Sequence, residues 1–269
     1  MSFEPIVAIL LYIAATSLLG IKLYRPVDSQ NKLRIIFLLF GFAALLLHAK
    51  FLYISITIGS GLNFSFFNVV SLIGCLVALI VMVTSLFRPL ENLLLVLFPV
   101  AAIALLLEGL VPGERLLTTG TLSTGLRIHI LLSICAYSLL MISAFQALLL
   151  AVQEKMIKAK RVAKVINILP PLQVMENLLV ELIVIGFFLL SLSLVSGMMY
   201  IEDLFDQHLV HKTVLSIIAW VTYCILLWGR WAAGWRGKKI IRWALGGFIT
   251  LLLAYIGSKF VLELILQRV

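Results

Sequence analysis

The sequence predicts an all-α, polytopic membrane protein: a bundle of about eight transmembrane helices, forming one membrane domain over residues 1–269 with both termini outside. Three observations predict it. Apolar residues gather in eight runs of about 20, the length that carries a helix through roughly 30 Å of hydrocarbon. Hydrophobic residues make up 63% of the chain and charged ones 12%, with a mean hydropathy of +1.17, far from the mixture of a soluble domain. The runs are also continuous rather than alternating, which excludes barrel strands, the other way of satisfying every backbone group in lipid.

The helices are expected at about 5–24, 34–57, 64–87, 92–110, 127–152, 177–198, 211–229 and 242–266. Nothing basic precedes the first, and Lys22 and Arg25 follow its apolar run, the reverse of a cleavable secretory signal, so it stays as an anchor. The second carries His48 in its outer half. The third opens with Asn68 and Ser71 after Gly59-Ser60-Gly61-Leu62-Asn63-Phe64, where Asn63-Phe64-Ser65 fits a glycosylation sequon, a triplet common by chance. After the fourth comes a polar, Thr-rich connection from Pro112 to Gly125, and the fifth begins around His129. In the long connection Gln153 to Glu176, Lys155, Lys158, Arg161 and Lys164 recur every third residue among Met156, Val162, Val165 and Ile166. That pattern is an amphipathic basic helix lying on anionic headgroups, stopped by Pro170-Pro171. The sixth helix leads to a loop with Glu202, Asp203, Asp206 and His208, whose acids read as solvated loop charges. The seventh starts at His211 and holds Trp220; Trp228, Trp231, Trp235 and Trp243 then bracket the next loop as an aromatic belt. In the last, Lys259 and Glu263 stand four apart.

Basic residues set the orientation, because they resist translocation. Lys22, Arg25, Lys32, Arg34, Arg88, Lys155, Lys158, Lys160, Arg161, Lys164, Arg230, Arg236, Lys238, Lys239 and Arg242 all fall at the odd-numbered connections. These fifteen face only Lys50, Arg115, Arg127, Lys212 and Arg268 on the opposite side. The odd connections are therefore cytoplasmic. The net charge of +9 reads as this topology signal and an attraction to anionic lipid, not as a nucleic-acid footprint. Cys75, Cys135 and Cys224 are isolated inside apolar helices, without Cys-x-x-Cys spacing, and read as packing residues.

All four histidines fall toward the outer side. An ionisable group in a membrane is costly enough to mark a functional site, although a neutral imidazole bonded to a loop carbonyl is the cheapest of them. His208 precedes His211 by three residues and shares its face if the helix extends backward. Zinc needs three or four converging ligands. Haem needs one or two axial imidazoles and an apolar slot. No catalytic constellation is visible, so the chain is not expected to be an enzyme.

The segment Leu126-Arg127-Ile128-His129-Ile130-Leu131-Leu132-Ser133-Ile134-Cys135-Ala136-Tyr137 resembles the outer His helix of the CcsA-type cytochrome c assembly family. Lys212-Thr213 followed by Trp220 resembles the family's Asp-Pro-Lys-Glu-Thr segment and the Trp eight residues after its Lys. Gly234-Trp235-Arg236-Gly237-Lys238-Lys239, before a last helix with Tyr255 and Gly257, is similar to its Gly-Trp-Arg-Gly segment. Order and spacing agree over roughly residues 60–260. Leu215-Ser216-Ile217-Ile218-Ala219-Trp220 and Leu227-Trp228-Gly229 are similar to the short YpjD-like inner-membrane branch.

The resemblance implies a multi-pass protein of the bacterial inner membrane that handles haem b during cytochrome c biogenesis, among other assembly proteins. His129 takes the external axial-ligand position, His48 lies where the family has an early membrane His, and His211 stands in the place of the Pro in Asp-Pro-Lys. Departures are equally specific. The Trp-rich haem platform before Lys-Glu-Thr is missing, since Tyr200 to His211 contains no Trp, and Trp228 replaces a family His. Two classes of function follow: a haem-binding or haem-translocating protein with His129 and either His211 or His48 on the iron, or a non-catalytic assembly or regulatory subunit that keeps the fold without haem.

Overall fold

The structure is a computed structural model that describes residues 3–24, 27–58, 61–111, 116–118, 123–159, 169–200 and 207–257. Glu202, Asp203, Asp206, Arg161, Lys164, Lys259 and Glu263 lie outside the described residues, as does the side chain of His208. Helices are α1 (Phe3–Tyr24), α2 (Val27–Ile56), α3 (Phe66–Thr84), α4 (Leu94–Leu110), α5 (Thr124–Lys158), α6 (Leu172–Tyr200), α7 (Gln207–Ala232) and α8 (Lys238–Leu252), which continues as a π turn over Leu253–Gly257. Among the described residues seven of these are long and apolar enough to cross a membrane. The protein is polytopic and helical.

The expected runs are found as helices within the described residues, the last as far as Gly257, and most outrun their apolar stretches. α2 begins at Val27, ahead of Asn31 and Lys32, and α5 carries the first basic turns of the 153–176 connection out to Lys158. Polar residues continue a helix as readily as apolar ones once it leaves hydrocarbon, so the apolar run marks the membrane and not the helix end. α6 starts directly after Pro170-Pro171, where proline fits the first turn because its missing N–H has no helical partner.

The chain forms two compact units, Met1–Thr121 and Leu122–Val269. In the first, α1 packs on α2 and α4, and α3 on α2 and α4, around buried Tyr12, Phe37, Met82, Phe98 and Leu105. At one end Glu91 pairs with Lys22 and, at 2.5 Å, with the Nε of Arg34, which also donates to the Ser85 carbonyl at 3.2 Å. The other end holds a small antiparallel ladder, β1 (Thr57–Ile58), β2 (Gly61–Asn63) and β3 (Leu116–Thr118). Lys50 reaches Glu4 there at 2.5 Å. The first and third connections thus share one end of this unit, and the second and fourth share the other. Asn63 of the sequon is buried, and its Oδ1 accepts from the Ser65 backbone N–H at 3.1 Å, so its side chain is spent on the turn into α3.

In the second unit α5 lies along α6, and α8 packs on α7 and α5. Gly186 permits the close α5–α6 approach: a Cβ there would sit 2.7 Å from Leu140 Cδ2. Trp220 donates to Ser191 Oγ at 2.8 Å and stacks on Phe187. At the end holding the α5–α6 and α7–α8 connections, the buried carboxylate of Glu176 takes Arg230 Nη1 at 2.6 Å and the Gly237 backbone N–H at 2.8 Å. Arg230 also donates to the Trp235 carbonyl at 3.0 Å. Gly237 sits at φ +55°, ψ −130°, a conformation that L side chains avoid. The Gly-Trp-Arg-Gly segment is therefore a turn whose amide completes a half-buried ion pair. Trp228 and Trp231 at the end of α7 are exposed, as an interfacial belt requires.

Candidate functional site

His129 lies in the second turn of α5, whose start is capped by Ser123 accepting from the Leu126 N–H at 3.2 Å. Its ring enters the α5–α6 interface. Nδ1 is 2.9 Å from the Ser193 carbonyl oxygen and 3.2 Å from Ser196 Oγ. A carbonyl only accepts, so Nδ1 carries the ring hydrogen. The hydroxyls around it agree. Ser196 gives its own hydrogen to the Ser193 carbonyl at 2.9 Å, leaving its oxygen as an acceptor toward Nδ1.

Nε2 consequently holds the lone pair. Among the described residues its one recorded contact is with Ser133 Oγ at 3.5 Å, at the outer limit of hydrogen bonding. Ser133 already donates to the His129 carbonyl at 2.7 Å, and its remaining acceptor capacity meets Ser193 Oγ at 2.7 Å. Gly197 seats the ring, since a Cβ there would lie 3.0 Å from His129 Cε1. This arrangement fixes the tautomer and orientation that metal-ligating imidazoles use: one nitrogen held by a carbonyl, the other presenting its lone pair.

His48 has a different setting. It is fully buried in the first unit, with Nδ1 3.1 Å from Tyr12 Oη and Nε2 2.8 Å from Ser71 Oγ. Tyr12 also meets the imidazole edge-on. Both ring nitrogens are occupied in either tautomer, so binding iron would require giving up one of those hydrogen bonds. His211 is exposed on α7 and makes no side-chain hydrogen bond among the described residues. The described contacts thus gather Ser133, Ser193, Ser196 and Gly197 around His129, and Tyr12 and Ser71 around His48. Among the described residues no group of three or more His, Cys, Asp or Glu converges as a metal site.

Glu108 is the residue that sequence reasoning passed over. It is buried near the end of α4, with the hydroxyls of Ser55 and Ser71 and the Cys75 thiol beside it. The readable signal was a lone acid in the otherwise apolar run Leu94–Leu110. Ser193 and Ser196 gave no such signal, because serines are ordinary in membrane helices.

Residues 35–266 match the protein family described as cytochrome C assembly protein. The chain belongs to that family. It is 35% identical over 206 residues to the inner membrane protein YpjD of Escherichia coli K12, covering 77% of this chain and 78% of that protein. It is also 33% identical over 141 residues to an uncharacterized 28.8 kDa protein of Azospirillum brasilense, 52% of each chain. The cytochrome c biogenesis protein CcsA of Prochlorococcus marinus MIT 9301 is 32% identical over 88 residues, 32% of this chain and 28% of that one. No solved structure matches. This member of the cytochrome c assembly family is a multi-pass protein of the bacterial inner membrane.

Proposed function

We propose that this protein binds and handles haem for cytochrome c assembly, with His129 as an axial ligand at the non-cytoplasmic end of the bundle. The observation that carries the reading is the state of the His129 ring: Nδ1 held by the Ser193 carbonyl and Nε2 left without a donor. A haem, haem b on this reading, would be held by imidazole nitrogen and would supply one-electron iron chemistry. The chain's own residues hold the ring. Ser193 and Ser196 keep the hydrogen on Nδ1, Gly197 sets the depth, and the apolar helices exclude water.

The orientation belongs to the same proposal. Fifteen basic residues against five support cytoplasmic odd connections with both termini outside, and with them His129 on the outer side. His211, exposed and without a hydrogen-bond partner among the described residues, is the second ligand this reading favours over His48, whose nitrogens are both engaged. No bond-making chemistry is assigned to the protein, and its partners are the bilayer, haem and other cytochrome assembly proteins.

One observation favours a second reading. Tyr200 to His211 contains no Trp, so a flat aromatic surface for porphyrin is missing from that segment, as in a subunit that kept the fold for assembly or regulation without haem. A reduced-minus-oxidised absorption spectrum of the protein, purified in detergent from haem-replete cells, separates the two. A b-type Soret and α band supports haem handling, and a colourless preparation supports the subunit.

A further inference from the structure

We infer that the cytoplasmic end of the second unit carries a binding site for the phosphate headgroup of an anionic phospholipid, in a basic cavity between α5 and α8. The cavity holds about 460 Å³, within the usual range for small-molecule sites of roughly 300–1,000 Å³. Lys155 and Lys158 enter from the last turns of α5, and Lys238 and Arg242 from the first turns of α8. Spacings of three and four residues put each pair on one helix face. Its floor is apolar, made by Ala151 and Ile241.

Cations that merely snorkel spread apart into water. Here four converge on one cavity from two helices. Glu154 lines it too but is paired with Lys158, which leaves Lys155, Lys238 and Arg242 without an acidic partner among the described residues. Lys239 is not part of the group, because its ammonium sits 3.8 Å over the Trp235 ring. Like charges gathered in this way call for an anion, and phosphate oxygens suit both ammonium and guanidinium donors.

A lipid is favoured over a free phosphate by what surrounds the cavity. Exposed Trp228 and Trp231 end α7, and the short turn from there leads straight into Lys238, so the cavity sits at headgroup depth. Leu148 and Val152 continue the Lys155 face of α5 toward the hydrocarbon and are exposed, offering a track for acyl chains. Basic pockets between helices on the cytoplasmic side are a recurrent way of holding such headgroups. Three unpaired cations suit the two phosphates of cardiolipin best. This assignment does not depend on haem.

Native mass spectrometry of the delipidated full chain, with cardiolipin, phosphatidylglycerol or phosphatidylcholine added back, tests it. Cardiolipin adducts should survive at least 10-fold better than phosphatidylcholine adducts. Lys155→Gln/Lys238→Gln/Arg242→Gln should remove that preference, and Lys50→Gln should keep it. Equal retention of all three lipids, or a preference unchanged in the triple variant, overturns the proposal. So does displacement of cardiolipin by millimolar glycerophosphate, which would make free phosphate the ligand. If the triple variant does not fold, the wild-type chain decides: cardiolipin should raise its thermal midpoint above that in phosphatidylcholine, and 1 M salt should erase the gain. A midpoint indifferent to cardiolipin overturns the assignment.

Discussion

His129 donates its Nδ1 hydrogen to the backbone carbonyl of Ser193, 2.9 Å away across the α5–α6 interface. That bond leaves Nε2 as the ring's acceptor, the state that the proposed ligand role requires. The surrounding serines can therefore be perturbed separately from the imidazole.

Gly197→Val should strip haem from the protein more completely than Ser196→Ala. A Cβ at position 197 would stand 3.0 Å from His129 Cε1, so the ring must move, whereas Ser196→Ala removes one long contact and keeps the Ser193 carbonyl. Soret absorbance per milligram of purified protein reads the difference. Equal loss in both, or no loss in Gly197→Val, would detach the ring's seat from its role.

His48→Ala should cost stability without altering the spectrum. It leaves Tyr12 Oη and Ser71 Oγ buried without their partner, at about 1–3 kcal/mol for each group left unsatisfied, and it opens a cavity against Tyr12. A lower thermal midpoint with unchanged Soret position and spin state is the expected pair of results. A spectral shift would instead make His48 the second ligand.

The half-buried pair of Glu176 and Arg230 should cost stability when halved. Glu176→Gln should destabilise by about 1–3 kcal/mol, because the half-buried Arg230 loses its charged acceptor. Glu176→Gln/Arg230→Met should recover much of that loss, and denaturant midpoints for the wild type, the two single variants and the double variant measure it. Simple additivity of the two single changes would mean that the pair is not coupled.

The helices were legible because run length alone sets a membrane span, and the stop before α6 was legible in Pro170-Pro171. The overshoot at the start of α2 was not, because Val27–Asn31 is too polar to register as a span, whereas the helical turns out to Lys158 agree with the amphipathic pattern of Lys155, Met156 and Lys158. The ladder joining Gly61–Asn63 to Leu116–Thr118 pairs residues more than 50 positions apart, beyond any local pattern. His129 was legible as a candidate, but its tautomer depends on Ser193 and Ser196, 64 and 67 residues away. The clustering of histidines on one side was a topological reading, and it carried no information about which ring nitrogens were already spent.

Reporter insertions test the orientation. An insertion near Lys160 should give activity only for a reporter that works in the cytoplasm, and a fusion after Val269 only for one that works outside. Reversed results would put His129 on the cytoplasmic side and remove the external-haem reading.

The most direct test of the central claim is chemical rescue of the axial ligand. Purified His129→Gly, loaded with haem beside the wild-type chain, should lack the wild-type Soret band and regain it when millimolar imidazole fills the space that the ring left. A His129→Gly protein that keeps the full wild-type band without imidazole would contradict coordination by His129.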